Sequence, residues 1–573
     1  MIARNMSSSL STGHVAVICL AVGIAVPLVI MLQRDALPTA LGQRPELTVL
    51  GAFGCLVVAM ANGANDIANS VGTSYGAGAL TLRQAILFGS IAEFTGAVSL
   101  GSFVAKSIAK GVIDPARFAE EGCDGVLEYG LGMFAVLAGT GESCAPIAST
   151  KILAMTRLSH AVSAASSVRA GSTTLLATLY GLPISASHGV IGGLVAVGTY
   201  THGVASLGKA PLIATVVAWV ASPLLGGLTS GLIHAIVRSA VHETRSPAAA
   251  AHRLQPLLVA LTTAVAAAFL IVSGPAVLRI SPMWLAIAIS CGLGAAAALA
   301  TLAYRALFAG GDGSASDRSK KYAGRAERGE EGEALKLEAR RFAGAAPLPP
   351  PGGMVELARR IEGAALSDSD GDTAGAPVAT GASAGGEMQH PIEEQPFVPL
   401  LVLSALTVAF AHGANDLGNS IGPLAAILVL EQPHGDITAT PAIPLWLLLL
   451  GAGGFVVGIA LLGSRTIQTV GGKITKLTPS RSFAVQMGTA VAVLSSTVLG
   501  LAVSTSHCLV GSIIGIGIAD RLRGGADAQL NFEMILKIII GWATTIPLAM
   551  LVSVLAFAAM RPSYDVDPVC DAR

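Results

Sequence analysis

Two polar octets, GANDIANS at 63–70 and GANDLGNS at 413–420, each place a carboxylate among amides and a hydroxyl inside apolar sequence. On a helix Asn65 and Asn69 share one face, Asn415 and Asn419 do the same, and Asp66 and Asp416 sit beside those faces. Carboxylate, amide and hydroxyl oxygens are the ligands hard cations take. Gly63 and Gly413 would permit local unwinding, which would free backbone carbonyls for the same ion. A second pair of motifs, SASH at 185–188 and STSH at 504–507, follows Gly-Leu in both places, with Pro183 favouring a break in the first. A helix starting there would turn free N–H groups and the hydroxyls of Ser185, Ser187, Ser504, Thr505 and Ser506 toward an anion. His188 and His507 could bond that anion, carry a proton or fasten helices.

The elements that position these motifs are membrane helices. Of 573 residues, 53% are hydrophobic and 12% charged, against about 25% charged in soluble domains. The apolar residues fall into blocks that suit a hydrocarbon layer of ~30 Å: Val15–Leu32, Ala210–Val237, Leu257–Leu278, Trp284–Phe308, Phe397–Ala411, Leu445–Leu462, Phe483–Val503 and Met534–Ala559. Less pure runs surround Leu47–Met60, Ala85–Val104 and Leu131–Ala154. The expectation is an all-α polytopic membrane protein with about 11–13 transmembrane segments. At that depth a charged side chain costs at least ~3 kcal/mol on insertion scales, which marks Asp66 and Asp416 as functional. Interface packing by Asn and Ser is the competing reading, and it leaves the duplicated acids without a reason. The 7 Cys are scattered, with no CxxC pair, and read as small core residues.

The motifs also reveal a duplication. ANGANDIANS (61–70) and AHGANDLGNS (411–420) agree at seven of ten positions, and GLPISASHGVIG (181–192) and GLAVSTSHCLVG (500–511) at six of twelve, in the same order. Repeated halves carrying interrupted polar motifs point to a transporter site between them. Between the halves, 309–396 mixes dense charge with Pro, Gly and Ser and reads as a flexible hydrophilic linker; Arg318, Lys320 and Lys321 near a span end lean it to the cytoplasmic side. The organisation expected is a tail plus an extra apolar span (anchor or signal) at 1–46, membrane halves at 47–308 and 397–560, and a C-terminal tail at 561–573.

Charge balance then selects a mechanism. Neither motif pair contains Lys or Arg. An oxyanion beside a carboxylate at ~4 Å would be repelled by roughly 4 kcal/mol at an effective dielectric of 20. Cations bound between them remove that repulsion, so cation and anion must bind together. This is the chemistry of a symporter.

At these residues the chain resembles the inorganic phosphate transporter family of sodium–phosphate symporters. GANDIANS with the following VGTSYGAGALTLRQA is similar to the family's first signature, FAHGANDLGNSIGPLAA to its second, and GLPISASH and GLAVSTSH to its Ser-Thr-Thr-His elements. The resemblance covers both halves and omits the linker and the N-terminal span. It implies two inverted repeats with broken helices at a midplane site. It assigns Asp66 and Asp416 to cation and phosphate, Asn65, Asn69, Asn415 and Asn419 to the cation, and the five hydroxyl residues to phosphate oxygens. Glu93, in GSIAEFTGAV, matches an acid important for transport in the first half. Its expected second-half partner, 18 residues before STSH, is here Gln486; the lost charge would change the cation number or favour protons. Ala186 likewise replaces a hydroxyl in the first element.

The partners implied are inorganic phosphate, sodium or protons, and the lipid bilayer, with no resident cofactor and no nucleic acid; a homodimer is compatible. The membrane expected is the plasma membrane, with an organelle membrane as the alternative. Competing functions are proton-coupled phosphate symport, a permease for sulfate or another oxyanion, and an intramembrane hydrolase built from Asp, Ser and His. The last needs one nucleophile with one base in reach, for which two duplicated sets are superfluous.

Overall fold

The computed structural model describes residues 45–141, 185–274, 279–308, 390–430, 437–473 (439 and 442 excepted), 478–524 and 532–561. The apolar run Val15–Leu32, Pro183, most of the expected linker and nearly all of the C-terminal tail lie outside them. The chain divides into two units, residues 1–299 with 389–573, and residues 300–388. The first carries the helix bundle.

Its helices are α1 (Pro45–Gly76), α2 (Leu82–Leu100), α3 (Ser102–Gly111), α4 (Pro115–Ala119), α5 (Gly122–Gly141), α6 (Ala186–His202), α7 (Lys209–Val237), α8 (Pro247–Ser273), α9 (Met283–Phe308), α10 (Phe397–Leu430), α11 (Leu445–Lys473), α12 (Pro479–Val498), α13 (Thr505–Leu522) and α14 (Phe532–Met560). No strand forms among the described residues. Among the described residues, seven helices are long and apolar enough to cross a membrane, or eight if α2 and α3, bent by 58° at Gly101, make one span. The 11–13 segments expected include Val15–Leu32 and part of Leu131–Ala154, which lie outside the described residues. α6 and α13 begin at the Ser motifs and run 17 and 18 residues, short of the ~20 needed to cross.

Local chemistry sets the boundaries. Thr81 and Gln84 form a reciprocal capping box at the start of α2. Thr478 caps α12 with Pro479 at its first position, where the missing N–H costs nothing. α12 ends before Gly500, whose φ of +70° suits glycine, and an extended stretch leads into α13. Glu394 is buried, accepting from Ser480 N and Ser480 Oγ at 2.8 Å each. The last residues of the expected linker, 390–396, are therefore folded onto the start of α12. At the far end of α13, Asp520 meets His234 Nε2 at 2.8 Å, Arg238 Nη1 at 3.0 Å and the Arg481 guanidinium, tying α7, α12 and α13 together. Along α7, Val220, Leu224 and Leu228 stand exposed, an apolar face suited to lipid.

The octets correct one expectation. α1 and α10 run through them as unbroken helices, so Gly63 and Gly413 do not unwind the backbone. They let helices cross. A Cβ on Gly63 would lie 2.5 Å from the Phe455 carbonyl oxygen, and one on Gly413 would overlap the Glu93 carbonyl. Each octet's glycine thus receives the backbone of a neighbouring helix, α11 in the first case and α2 in the second. In this packing Phe455 stands to Gly63 as Glu93 stands to Gly413. Gly413→Ala is expected to destabilise the bundle by about 1–3 kcal/mol, the usual cost of overpacking, despite alanine's better helix propensity. Gly292→Ala, with nothing within 4 Å of its Cβ, is the control. Equal melting temperatures for the two variants in detergent would show that the crossing has slack.

Candidate functional site

α10 packs against α1, α2 and α12, and at that crossing the acids of both halves converge. Asp66, Asp416 and His412 each bring one ligand atom within 4.8 Å of the others. His412 Nε2 lies 2.9 Å from Asp416 Oδ2 and 3.7 Å from Asp66 Oδ2, while Nδ1 lies 3.0 Å from Glu93 Oε1. All four side chains are buried, and the His412 ring stacks on Phe455 with centroids 5.6 Å apart. The ion-pair partner of these three acids among the described residues is His412 alone. One imidazole carries at most one positive charge and two N–H donors, so it cannot balance three acids. Both Glu93 oxygens, Asp416 Oδ1, Asn419 Oδ1 and the Asn62 amide lack hydrogen-bond geometry to any partner among the described residues. A buried set of oxygens with surplus negative charge suits a small cation.

The hydroxyl motifs join the same centre by reciprocal bonds. Asn69 Nδ2 donates to Asp66 Oδ1 at 3.1 Å and across to Ser506 Oγ at 2.8 Å. Asn419 Nδ2 donates to Ser187 Oγ at 3.0 Å. Each octet therefore reaches the serine of the other half. Ser185 and Ser504 cap α6 and α13, accepting from His188 N and His507 N at 3.4 Å each, so both helices start where the motifs require. Thr505 opens α13 and is buried. The rings of His188 and His507 meet with centroids 4.5 Å apart, which fits the fastening role.

Two residues are placed differently from expectation. Asn415 donates to Thr497 Oγ1 and Leu501 O at 3.0 Å each and accepts from Val503 N at 3.2 Å. Its amide holds the extended stretch ahead of α13, away from the acids' ion pairs. Gln486 donates to Ser70 O at 2.7 Å and Thr73 Oγ1 at 2.5 Å, farther along α1 from Asp66, and so stands apart from the Glu93–His412 pair. Asn65 is fully buried on α1 beside Asp66.

A family model described as the phosphate transporter family matches residues 62–152 and 138–553, most of the chain. The chain belongs to the phosphate transporter family. It is a transporter, not an enzyme, and an integral multi-pass membrane protein. This phosphate transporter is 30% identical over 518 residues to a Chlamydia muridarum protein that carries the name phosphate permease, covering 90% of this chain and 99% of that one. It is 30% identical over 495 residues to the chloroplastic inorganic phosphate transporter 2-1 of Arabidopsis thaliana, covering 86% and 68%. A solved structure described as the sodium-dependent phosphate transporter superposes with a TM-score of 0.62 at 24% identity, covering 90% of this chain and 99% of that one. That likeness establishes a shared fold.

The residue that motif reading passed over is His412. It stands one position before the second octet, where the first copy has Asn62. The aligned decamers 61–70 and 411–420 set a base in one copy against an amide in the other, and that difference is the signal that was available.

Proposed function

We propose that this phosphate transporter imports inorganic phosphate by symport with sodium, across the plasma membrane. The supporting observation is the convergence of Asp66, Asp416 and Glu93 on one histidine, beside two hydroxyl-bearing helix starts. In this reading sodium lies among the oxygens of Asp66, Asp416, Glu93 and Asn419, with Asn69 orienting Asp66. Phosphate lies toward Ser187, Thr505 and Ser506, at the positive ends of α6 and α13. Bound sodium offsets the negative charge that His412 alone does not balance, so neither ion binds well alone.

The test is labelled-phosphate uptake into proteoliposomes with sodium and proton gradients imposed separately. A sodium gradient at equal pH on both sides is expected to drive accumulation, with excess unlabelled sulfate competing weakly. Accumulation driven only by a proton gradient would support the second reading, proton coupling. That reading draws on Gln486, an uncharged residue where the family resemblance places an acid. Gln486→Glu is accordingly expected to steepen the dependence of uptake on sodium. An unchanged sodium titration would mean that position 486 takes no part in coupling.

A further inference from the structure

We infer that one turn of α7, from Trp219 to Pro223, is a positioning element that sets both anion-facing helix starts; this rests on the phosphate reading above. α7 contributes no group to the proposed phosphate or cation ligands. Yet three independent contacts from this turn reach the two Ser motifs. The Trp219 indole Nε1 donates to the Ala502 carbonyl at 3.0 Å, in the extended stretch before α13. The same indole packs against the His188 ring of α6 in a T-shaped contact, with centroids 4.0 Å apart and planes at 66°. The third contact follows from a missing bond. Pro223 lies four residues after Trp219 and has no N–H, so the Trp219 carbonyl loses its helical donor. The His507 side chain interacts with the Trp219 backbone. Gly511 of α13 rests on Pro223 so closely that a Cβ there would overlap the proline carbonyl.

The stretch 501–503 explains why one donor matters. Its three carbonyls each receive one side chain, and each comes from a different helix. Leu501 O accepts from Asn415 of α10, Ala502 O from Trp219 of α7 and Val503 O from Ser187 of α6. Buried backbone outside a helix is stable only while every such group is paired. Withdrawing the α7 donor frees the middle carbonyl and loosens the path by which Ser504, Thr505 and Ser506 are presented.

Two variants separate positioning from general stability. Trp219→Phe keeps an aromatic ring at this position and removes the N–H together with part of the ring. Pro223→Ala restores a helical donor to the Trp219 carbonyl, which then competes with His507 while both side chains remain. In sodium-driven uptake by proteoliposomes, each is expected to raise the phosphate KM roughly tenfold, with the maximal rate per reconstituted protein within about twofold of the unmutated chain. Leu228→Ala, on the exposed face of α7 and outside this turn, is expected to change neither. An unchanged KM in both variants overturns the inference and leaves the phosphate reading intact. So does a maximal rate that falls in step with melting temperature at constant KM, which marks a purely structural turn. No phosphate uptake by the unmutated protein overturns both.

Discussion

Asp416→Asn, and separately Asp66→Asn, is expected to abolish sodium-driven phosphate uptake while the protein still reaches the membrane and folds. The change preserves side-chain volume, and the amide oxygen at position 66 can still accept the bond from Asn69 Nδ2. What is lost is charge. At ~4 Å and an effective dielectric of 20, one carboxylate attracts a bound cation by about 4 kcal/mol, roughly a thousandfold in sodium affinity. Sodium titrations of uptake in each variant measure this directly. Wild-type rates in both would remove the two acids from the site.

His412→Asn should have the next largest effect. It gives the second copy the same lead-in as the first, ANGAND, and strips the only base from among Asp66, Glu93 and Asp416. Removing one partner of a buried pair typically costs about 3–5 kcal/mol, because the other charge is left uncompensated. Adding Glu93→Gln to His412→Asn is expected to recover most of that stability without recovering uptake. Melting of the two single variants and the double variant in detergent forms a double-mutant cycle. Additive losses would show that Glu93 and His412 are not a pair.

How much of this was legible beforehand depended on whether the signal was local. The membrane character followed from apolar blocks and scarce charge, and the meeting of the octets with the Ser motifs followed from their duplication. Helix starts at Ser185 and Ser504 were readable because capping is a matter of a few consecutive residues. Gly63 and Gly413 were misjudged: glycine in a polar motif suits unwinding and close crossing equally, and only the opposing backbones of Phe455 and Glu93 decide between them. Asn415 was grouped with Asn419 by helical face, yet a one-dimensional face cannot show that one amide faces an extended stretch and the other a serine. Gln486, which the family resemblance pairs with Glu93, bonds Ser70 and Thr73. Spacing from a motif in one half carries no information about which helix of the other half lies opposite.

Sodium as the coupling ion rests on the charge argument. Three acids and one histidine leave surplus negative charge exactly where an oxyanion would have to approach the hydroxyls of α6 and α13.

The most direct test is calorimetric titration of phosphate into the purified protein at alkaline pH, once in sodium and once with sodium replaced by a bulky organic cation. Saturable binding in sodium and its loss in the replacement buffer is the predicted result. The same dissociation constant in both buffers would contradict the account, because the acids would then be tolerating phosphate without a neutralising ion.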